Sequence, residues 1–291
     1  MQVRTKEKDY KMKIKILSDS TCDLSKDLLE KYDITVVPLT VIKDDQEYSD
    51  GVTITTDEIF AHVAAGGSLC TTAAISVVDY QERFAEFADK YDAVVHINIS
   101  SELSSSYQNA SLAAEEFDNV AVIDSRNLST GQGLVVLKAC ELADSVSSLE
   151  EIKKKLNAFT PKVEASFLLD RLDYMVKGGR CTAVVALGAN LLGLKPCIEV
   201  KDGKMGVVKK YRGNYAKSLA SYVKDRLANR DDLDKKHLFI TRTPVSDECL
   251  KAVEAAVTEY ADFENIYWTI AGCTVSCHCG PGTLGVLFVK K

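Results

Sequence analysis

The 291-residue chain has no excess of basic charge: its 36 lysines and arginines are outnumbered by 42 aspartates and glutamates, giving a net charge of −6. Phosphate backbones call for a basic face, so this balance excludes a dedicated nucleic-acid binder. It also argues against lasting attachment to anionic membranes. No apolar run approaches the ~18 residues that span a bilayer, so stable membrane insertion is not expected. Residues 1–13 are charged and lack the apolar centre of a secretory signal, which predicts a cytoplasmic protein. There is no repeat and no low-complexity stretch. Gly178-Gly179 falls short of a Gly-rich nucleotide loop. A Gly-x-Ser-x-Gly elbow is missing. No close set of Asp, Glu and His at ligand spacing calls for a metal. The nine cysteines are odd in number and scattered, and in a cytosolic chain they are expected to be reduced and buried as small apolar residues.

What is present is a folding pattern. Hydrophobic residues at 46% and charged residues at 27% match a globular protein. From residue 13, strand, loop and helix alternate. Strands are expected at 14–17, 34–38, 93–99 and 120–123. Helices are expected at 24–31, at 79–90, at 105–117, at 131–143, at 149–159, and from a Thr55 or Thr56 cap through 65. Asp23 and Ser25 both suit the N-cap of the first helix. Residues 93–99 are apolar almost throughout, as in a strand buried on both faces of a parallel sheet. The alternation predicts a doubly wound α/β domain over 13–160. Beyond Thr160-Pro161 the pattern changes to a second α+β domain over 161–291. It carries strands at 163–169, 238–241, 266–270 and 285–289 and an apolar helix at 182–192. A hairpin turns on Asp202-Gly203 between 198–200 and 205–209. Amphipathic helices follow at 215–228 and 246–260.

Parallel sheets place ligand sites in loops beyond the carboxyl ends of their strands. Four polar loops qualify here: residues 18–23, Thr71-Thr72, residues 100–106 and residues 124–127. The third has five serines in seven residues, ahead of a predicted helix. Its hydroxyls and N–H groups suit an anionic oxygen group, although N-capping by one serine is an alternative use. Asp19 and Asp124 are placed to hold neighbouring loops by accepting backbone N–H bonds. His62 and His237 look incidental, and His96 reads as a satisfied core histidine. His278 lies in Cys277-His278-Cys279-Gly280-Pro281-Gly282, a stretch that reads as a turn. Zinc there is disfavoured, because adjacent residues do not easily reach one ion and there is no second Cys-x-x-Cys. A serine-type acyl hydrolase using Ser104 and His278 is the enzyme alternative, with no acid clearly placed to orient the histidine.

Six co-linear blocks resemble the DegV family. They are Asp19-Ser20-Thr21-Cys22-Asp23-Leu24; the run from Ser100 through Ala110; Asp124-Ser125 through Gly131-Gln132-Gly133; the run from Leu172 through Arg180; Leu194-Lys195-Pro196; and His278-Cys279-Gly280-Pro281-Gly282. The resemblance implies two domains with a long-chain fatty acid buried between them. It implies a carrier, not an enzyme, that serves as acyl-binding partner to a separate bacterial fatty acid kinase. That kinase makes an acyl phosphate for phospholipid synthesis. By position, Thr72, Ser104 and His278 are the implied carboxyl contacts, with Asp19, Ser20, Ser105, Ser106, Asp124 and Ser125 in supporting loops. Arg180 is assigned to structure or partner docking. Two stretches depart: Ser104-Ser105-Ser106 stands where the family has Ser-Gly-Thr, and Thr72-Ala73-Ala74-Ile75-Ser76 stands where it has Thr-Ser-Gln-Pro-Ser, so two polar groups beside the head-group site are lost. The apolar wall is expected at 184–194 and in the helices around Ile59 and Phe84. No cofactor or metal is expected beyond the bound fatty acid. With nothing resembling a coiled coil, a monomer is expected. A purely regulatory lipid sensor is a further alternative.

Overall fold

A computed structural model describes residues 12–185 and 193–291. The chain opens with β1 (Ile14–Asp19), a 3-10 turn at Ser20–Cys22, α1 (Lys26–Lys31) and β2 (Thr35–Val37). Ser25 caps α1, accepting the Leu28 N–H. Asp23 is left in a left-handed conformation and turned inward. A short hairpin, β3 (Thr40–Lys43) and β4 (Gln46–Ser49), turns on Asp44-Asp45, both at positive φ. Then come α2 (Thr56–Ala64), β5 (Thr71–Ala73) and α3 (Val77–Ala88). Thr55 with Glu58 and Ser76 with Asp79 form capping boxes that start the two helices. The first half closes with β6 (Ala93–Asn98), α4 (Ser106–Ala114), β7 (Val120–Asp124), α5 (Ser129–Ala143) and α6 (Leu149–Phe159).

β2, β1, β6 and β7 form a wholly parallel sheet in that order. β6 is buried at every position, as its continuous apolar run predicts. One face packs on α3 and α4 through Leu17, Tyr80, Phe84, Val94 and Ala110. The other packs on α1, α5 and α6 through Ile16, Leu28, Val95, Leu134 and Ile152. The doubly wound expectation holds. The third sheet, β4-β3-β5, was not foreseen: its strands are three or four residues long, too short to show an alternating pattern.

The second half contains β8 (Val163–Leu169), α7 (Asp173–Gly178), α8 (Thr182–Val185), β9 (Leu194–Lys201), β10 (Lys204–Arg212), α9 (Tyr215–Leu227), β11 (Leu233–Arg242), α10 (Asp247–Tyr260), β12 (Asn265–Ile270), α11 (Cys273–Cys279) and β13 (Thr283–Lys290). The expected helix at 182–192 is described only to Val185; the rest lies outside the described residues. The sheet order is β10-β9-β8-β13-β11-β12, antiparallel except for the β11–β12 pair. Asp202 and Gly203 make the predicted hairpin turn, both at positive φ. α9 and α10 cover one face through Leu219, Tyr222, Val253 and Phe288. On the other face, Ala165, Phe167, Phe239 and Leu287 join the core that includes α5. α5 therefore lies between the two large sheets, touching β1 and β6 on one side and β8, β11 and β13 on the other. All nine cysteines are free, and all but Cys140 are buried.

His96 is a core histidine but not a satisfied one. Its ring is wedged between those of Tyr80 and Phe84, at centroid distances of 5.1 and 5.6 Å. Neither ring nitrogen has a hydrogen-bond partner among the described residues. Burial pulls its pKa down to about 3. The unfolded chain therefore takes up a proton that the folded chain refuses, and stability falls as pH drops from about 6.5 towards 3. At pH 4 this one residue is expected to cost about 3 kcal/mol. Urea unfolding of the wild type and of His96→Phe at pH 7 and pH 4 checks this. The variant should lose less on acidification, and equal losses would show that His96 is not held neutral.

Candidate functional site

α11 is the element on which the site hangs. The sequence reads as a turn, yet Cys273–Cys279 is helical, and Gly280 follows at positive φ. Two buried acids hold its start. Asp50 accepts the N–H groups of Cys273 (2.9 Å) and Thr274 (3.1 Å) on its two carboxyl oxygens. Asp23 accepts the Gly272 N–H (2.8 Å) and the Ser129 hydroxyl proton. Burial pushes the Asp23 pKa up to about 8 against those two donors. Ser20 donates to Asp50 (2.9 Å) and accepts the Leu39 N–H (3.0 Å).

His278 occupies the last turn of α11. Its Nε2 hydrogen-bonds the Thr72 hydroxyl at 2.8 Å. Thr72 is not in a loop beyond the parallel sheet, as the sequence led one to expect. It lies in β5, paired with Val41 of β3, so a strand fixes its direction. The other ring nitrogen, Nδ1, is buried with no partner among the described residues. It faces the backbone of Gly178 so closely that a Cβ there would sit 2.5 Å away. Gly179, at φ +68°, caps α7 in the left-handed region, and the Arg180 guanidinium donates back to the Gly178 carbonyl at 2.7 Å. The Lys177-Gly178-Gly179-Arg180 block thus has a physical reading: one glycine admits the histidine ring, and the next turns the chain. Burial first, then the Arg180 charge, pull the His278 pKa down to about 4, so its imidazole is neutral at pH 7.

Ser104 lies in the loop between β6 and α4. Its Oγ is 2.9 Å from the Ser106 Oγ and accepts the Ser106 N–H at 3.2 Å. Ser105 precedes α4 but makes no side-chain cap bond.

Thr72, Ser104, Ser105, Arg180 and His278 line one cavity of about 120 Å³. Leu39, Ile99, Leu103, Leu128, Met175, Met205 and Val275 supply its apolar wall. The wall expected around Ile59 and Phe84 is elsewhere. Ile59 packs with Val41, Cys70 and Cys277, and Phe84 packs under the parallel sheet. Of the expected 184–194 wall, residues 186–192 lie outside the described residues, and Val184 is buried in the main core. Met175 and Met205 went unnoticed in the sequence. The one clue to Met205 is its place just after the Asp202-Gly203 turn.

Asp19, Ser20, Asp124 and Ser125 do not line this cavity; they tie the surrounding loops. Asp19 is fully buried and accepts the N–H groups of Thr21 (3.1 Å) and Ile99 (2.8 Å) and the Gln132 amide (2.8 Å). Asp124 accepts the Ser101 and Arg126 N–H groups at 3.2 and 2.8 Å. Ser125 donates to the Asn127 carbonyl at 3.2 Å. The hairpin tip docks on these loops: Ser100 donates to the Gly203 carbonyl (2.8 Å) and Arg126 to the Asp202 carbonyl. That contact brings Met205 over the cavity.

A hydrolytic triad does not assemble. The hydrogen bond of His278 goes to Thr72, that of Ser104 goes to Ser106, and no acid meets Nδ1 among the described residues. Among those residues there is also no group of three His, Cys, Asp or Glu that could hold a metal ion, and no helix long and apolar enough to cross a membrane.

Comparison with known proteins agrees with this architecture. The sequence model of the DegV family, described as a family of uncharacterised proteins, matches residues 13–291. A DegV domain-containing protein of Clostridium perfringens is 34% identical over 286 residues, covering 96% of this chain and 99% of that one. Among solved structures, a fatty-acid-binding DegV family protein from Thermus thermophilus has a TM-score of 0.86 at 29% identity, over 96% of this chain and 100% of that chain. A stearic acid-binding protein from Eubacterium ventriosum has a TM-score of 0.80 at 30% identity, over 96% and 98%. With the family model spanning the fold from β1 to the carboxyl end and a relative of this identity matched over nearly its whole length, the chain belongs to the DegV family.

Proposed function

We propose that the protein binds one long-chain fatty acid with its carboxyl group at Thr72, Ser104 and His278. One observation carries this reading: three uncharged polar side chains, from a strand, a loop and a helix, converge on a cavity whose other walls are mostly apolar. A desolvated carboxyl group needs hydrogen-bond partners, and these groups offer them. The similar structures from Thermus thermophilus and Eubacterium ventriosum, which bind fatty acids, support the same class of ligand.

The tail has a natural route. A second, smaller cleft of about 30 Å³ shares Leu128, Val275 and Cys279 with the first and continues along Phe167, Ala271 and Leu287. A ligand on this path lies between units 13–160 and 161–291. A cavity of ~150 Å³ holds about one benzene ring, so a long chain enters only if the walls part. Met175 and Met205 are unbranched side chains suited to that rearrangement. Each buried methylene contributes roughly 0.8 kcal/mol, about 12 kcal/mol for a chain of ~16 carbons before ordering costs.

The family resemblance extends the proposal to a cytoplasmic, monomeric carrier, with neither cofactor nor metal, that presents the carboxyl group to a separate fatty acid kinase. Arg180 lies at the cavity and is available to that partner or to the head group.

Denaturing extraction followed by mass spectrometry should recover a long-chain fatty acid from the purified protein. Recovery of no lipid, together with turnover of an activated ester that Ser104→Ala abolishes, would overturn the carrier in favour of the hydrolase. Ser104→Ala and His278→Ala should each weaken fatty-acid binding about tenfold or more, as expected for a lost hydrogen bond to a charged group. Titration with a fluorescent fatty acid reads this directly, and unchanged affinity in both variants sinks the assignment. Gly178→Ala should approach the loss seen for His278→Ala, because its methyl group displaces the imidazole. Wild-type affinity in that variant would show that the ring position does not matter.

A further inference from the structure

The cleft that continues the head-group cavity owes its shape to one missing side chain. β8, β13 and β11 lie side by side, and their register places Phe167, Gly285 and Thr241 in one row across the sheet. Phe167 and Leu287 belong to the core on the α5 face, while Leu284 and Val286 belong to the core beneath α9 and α10, so position 285 faces α5. With no side chain there, a notch opens between Phe167 and Thr241, and all three residues line the cleft. The next row, Ala165, Leu287 and Phe239, closes it. Over that row α5 comes down onto the sheet, where a Cβ at Gly131 would lie 3.0 Å from that of Ala165. A Cβ at Gly285 would sit 3.1 Å from Leu287 Cδ1 and 3.1 Å from the Ser166 carbonyl oxygen, so a single methyl group fills the notch.

We propose that this notch receives the methyl end of the acyl chain, and that Gly285 and Leu287 together set the longest chain the protein accepts. This inference rests on the fatty-acid reading of the site and extends it to the far end of the ligand.

The surroundings specify an apolar end. Five residues with hydroxyl groups line the cleft, and every one of those hydroxyls is already bonded. Thr241 is shared between Thr130 at 2.6 Å and Thr269 at 2.8 Å. Thr243 donates to the Gly280 carbonyl at 2.9 Å and accepts the Thr283 N–H at 2.9 Å. Thr283 donates to the Cys279 carbonyl at 3.0 Å. Ser166 meets the Tyr222 hydroxyl at 2.8 Å, and Ser129 donates to Asp23. Arg242, the one charged residue at the cleft among the described residues, pairs with Leu284, so strand alternation turns its side chain to the opposite face. A cleft of about 30 Å³ has room for about one water molecule, but a buried water needs roughly two to four polar partners, and these are spent. A hydrocarbon end needs none. A hydroxyl or a second carboxyl group at that end would be buried unpaired. The ligand class is therefore a monocarboxylic acid with a plain hydrocarbon terminus.

The test uses the full-length protein and a series of saturated fatty acids that differ by pairs of carbons. In the wild type, affinity should rise roughly tenfold for each added pair of methylenes and then stop rising at a limiting length. Gly285→Ala should shorten that limit by about two carbons, because its methyl group occupies the notch, and leave shorter acids within about twofold of the wild type. Leu287→Ala removes the closing side chain and should lengthen the limit, which keeps the idea testable if Gly285→Ala fails to fold. An acid of the limiting length with a hydroxyl group on its last carbon should bind about tenfold more weakly than the plain acid, the cost of an unpaired buried hydroxyl. A limit that neither variant moves, a uniform loss at every length in Gly285→Ala, or equal binding of the hydroxylated and plain acids would each overturn the inference and leave the head-group reading standing. Failure of the wild type to bind any acid in the series would overturn the fatty-acid reading and this inference with it.

Discussion

The burial of α5 between two unrelated sheets is the constraint on which the rest of the structure depends. Its first nine residues are all buried and carry no charge, as a stretch of helix with no solvent face must; only beyond Leu137 do partly exposed residues such as Lys138 and Glu141 appear. Two glycines let it close in. A Cβ at Gly131 would lie 3.0 Å from that of Ala165 in β8, and one at Gly133 would lie 2.8 Å from the Cys22 carbonyl beyond β1. The polar side chains of α5 register the helix. Gln132 donates to Ser18, Asp19 and the Ile97 carbonyl and accepts from Thr21, which fixes it to the parallel sheet. Thr130 meets Thr241 of β11 at 2.6 Å, which fixes it to the other sheet. A slip of one residue along α5 would break both sets at once. Because the helix holds both sheets, the cavity at its start is bounded by both, and Leu128 is shared by the head cavity and the cleft that continues it.

The polar end of the cavity is built by a different logic. Little there is held by apolar packing alone. Asp50 and Asp23 bind the first N–H groups of α11, the small sheet aims Thr72, and a glycine admits His278. Asp23 is also joined to Ser129, the first residue of α5. The helix that organises the core and the helix that carries the histidine are therefore fastened to one buried carboxyl group. Small movements of α5 relative to the parallel sheet bear directly on where His278 points.

Legibility in the sequence follows the range of the signal. The buried strand at Ala93–Asn98, the Asp202-Gly203 turn and the alternation of the first half were readable, because periodicity and turn chemistry act over a few neighbouring residues. The small sheet was not readable, since strands of three or four residues carry no period and Asp44-Asp45 is a weaker turn signal than Asp-Gly. α11 was hidden by its composition: two cysteines flank His278, and Gly280-Pro281-Gly282 follows, yet caps supplied from Asp50 and Asp23, more than 200 residues away, make it a helix. Asp23 was read as a local cap and proved to be a distant one. The walls were misplaced around Ile59 and Phe84 because periodicity identifies a buried face without saying which cavity that face meets. Ser104, His278 and Thr72 line one cavity, but only the family resemblance placed them there in advance; their separation in the chain is too large for any local rule.

The charge state of the proposed head-group site bears on what a carrier must do. A buried cation facing the carboxylate would bind it strongly, yet it would also have to be desolvated each time the ligand left. Here the histidine is held neutral, with its Nε2 on a threonine hydroxyl, and the serine offers an uncharged hydroxyl. The one cation lining the cavity among the described residues, Arg180, spends one of its N–H groups on the Gly178 carbonyl. In the proposed site, neutral groups would satisfy a carboxylate without leaving an unpaired charge when it departs, which would keep the polar contribution to affinity modest and leave most of it to the tail. A bound carboxylate beside His278 would favour protonation of the imidazole, opposing the burial that now keeps it neutral. Which of the two wins is read from the pH dependence of affinity: fatty-acid binding flat between pH 8 and pH 6 shows that burial keeps His278 neutral beside the ligand, and tighter binding at the lower pH shows that uptake brings a proton with it.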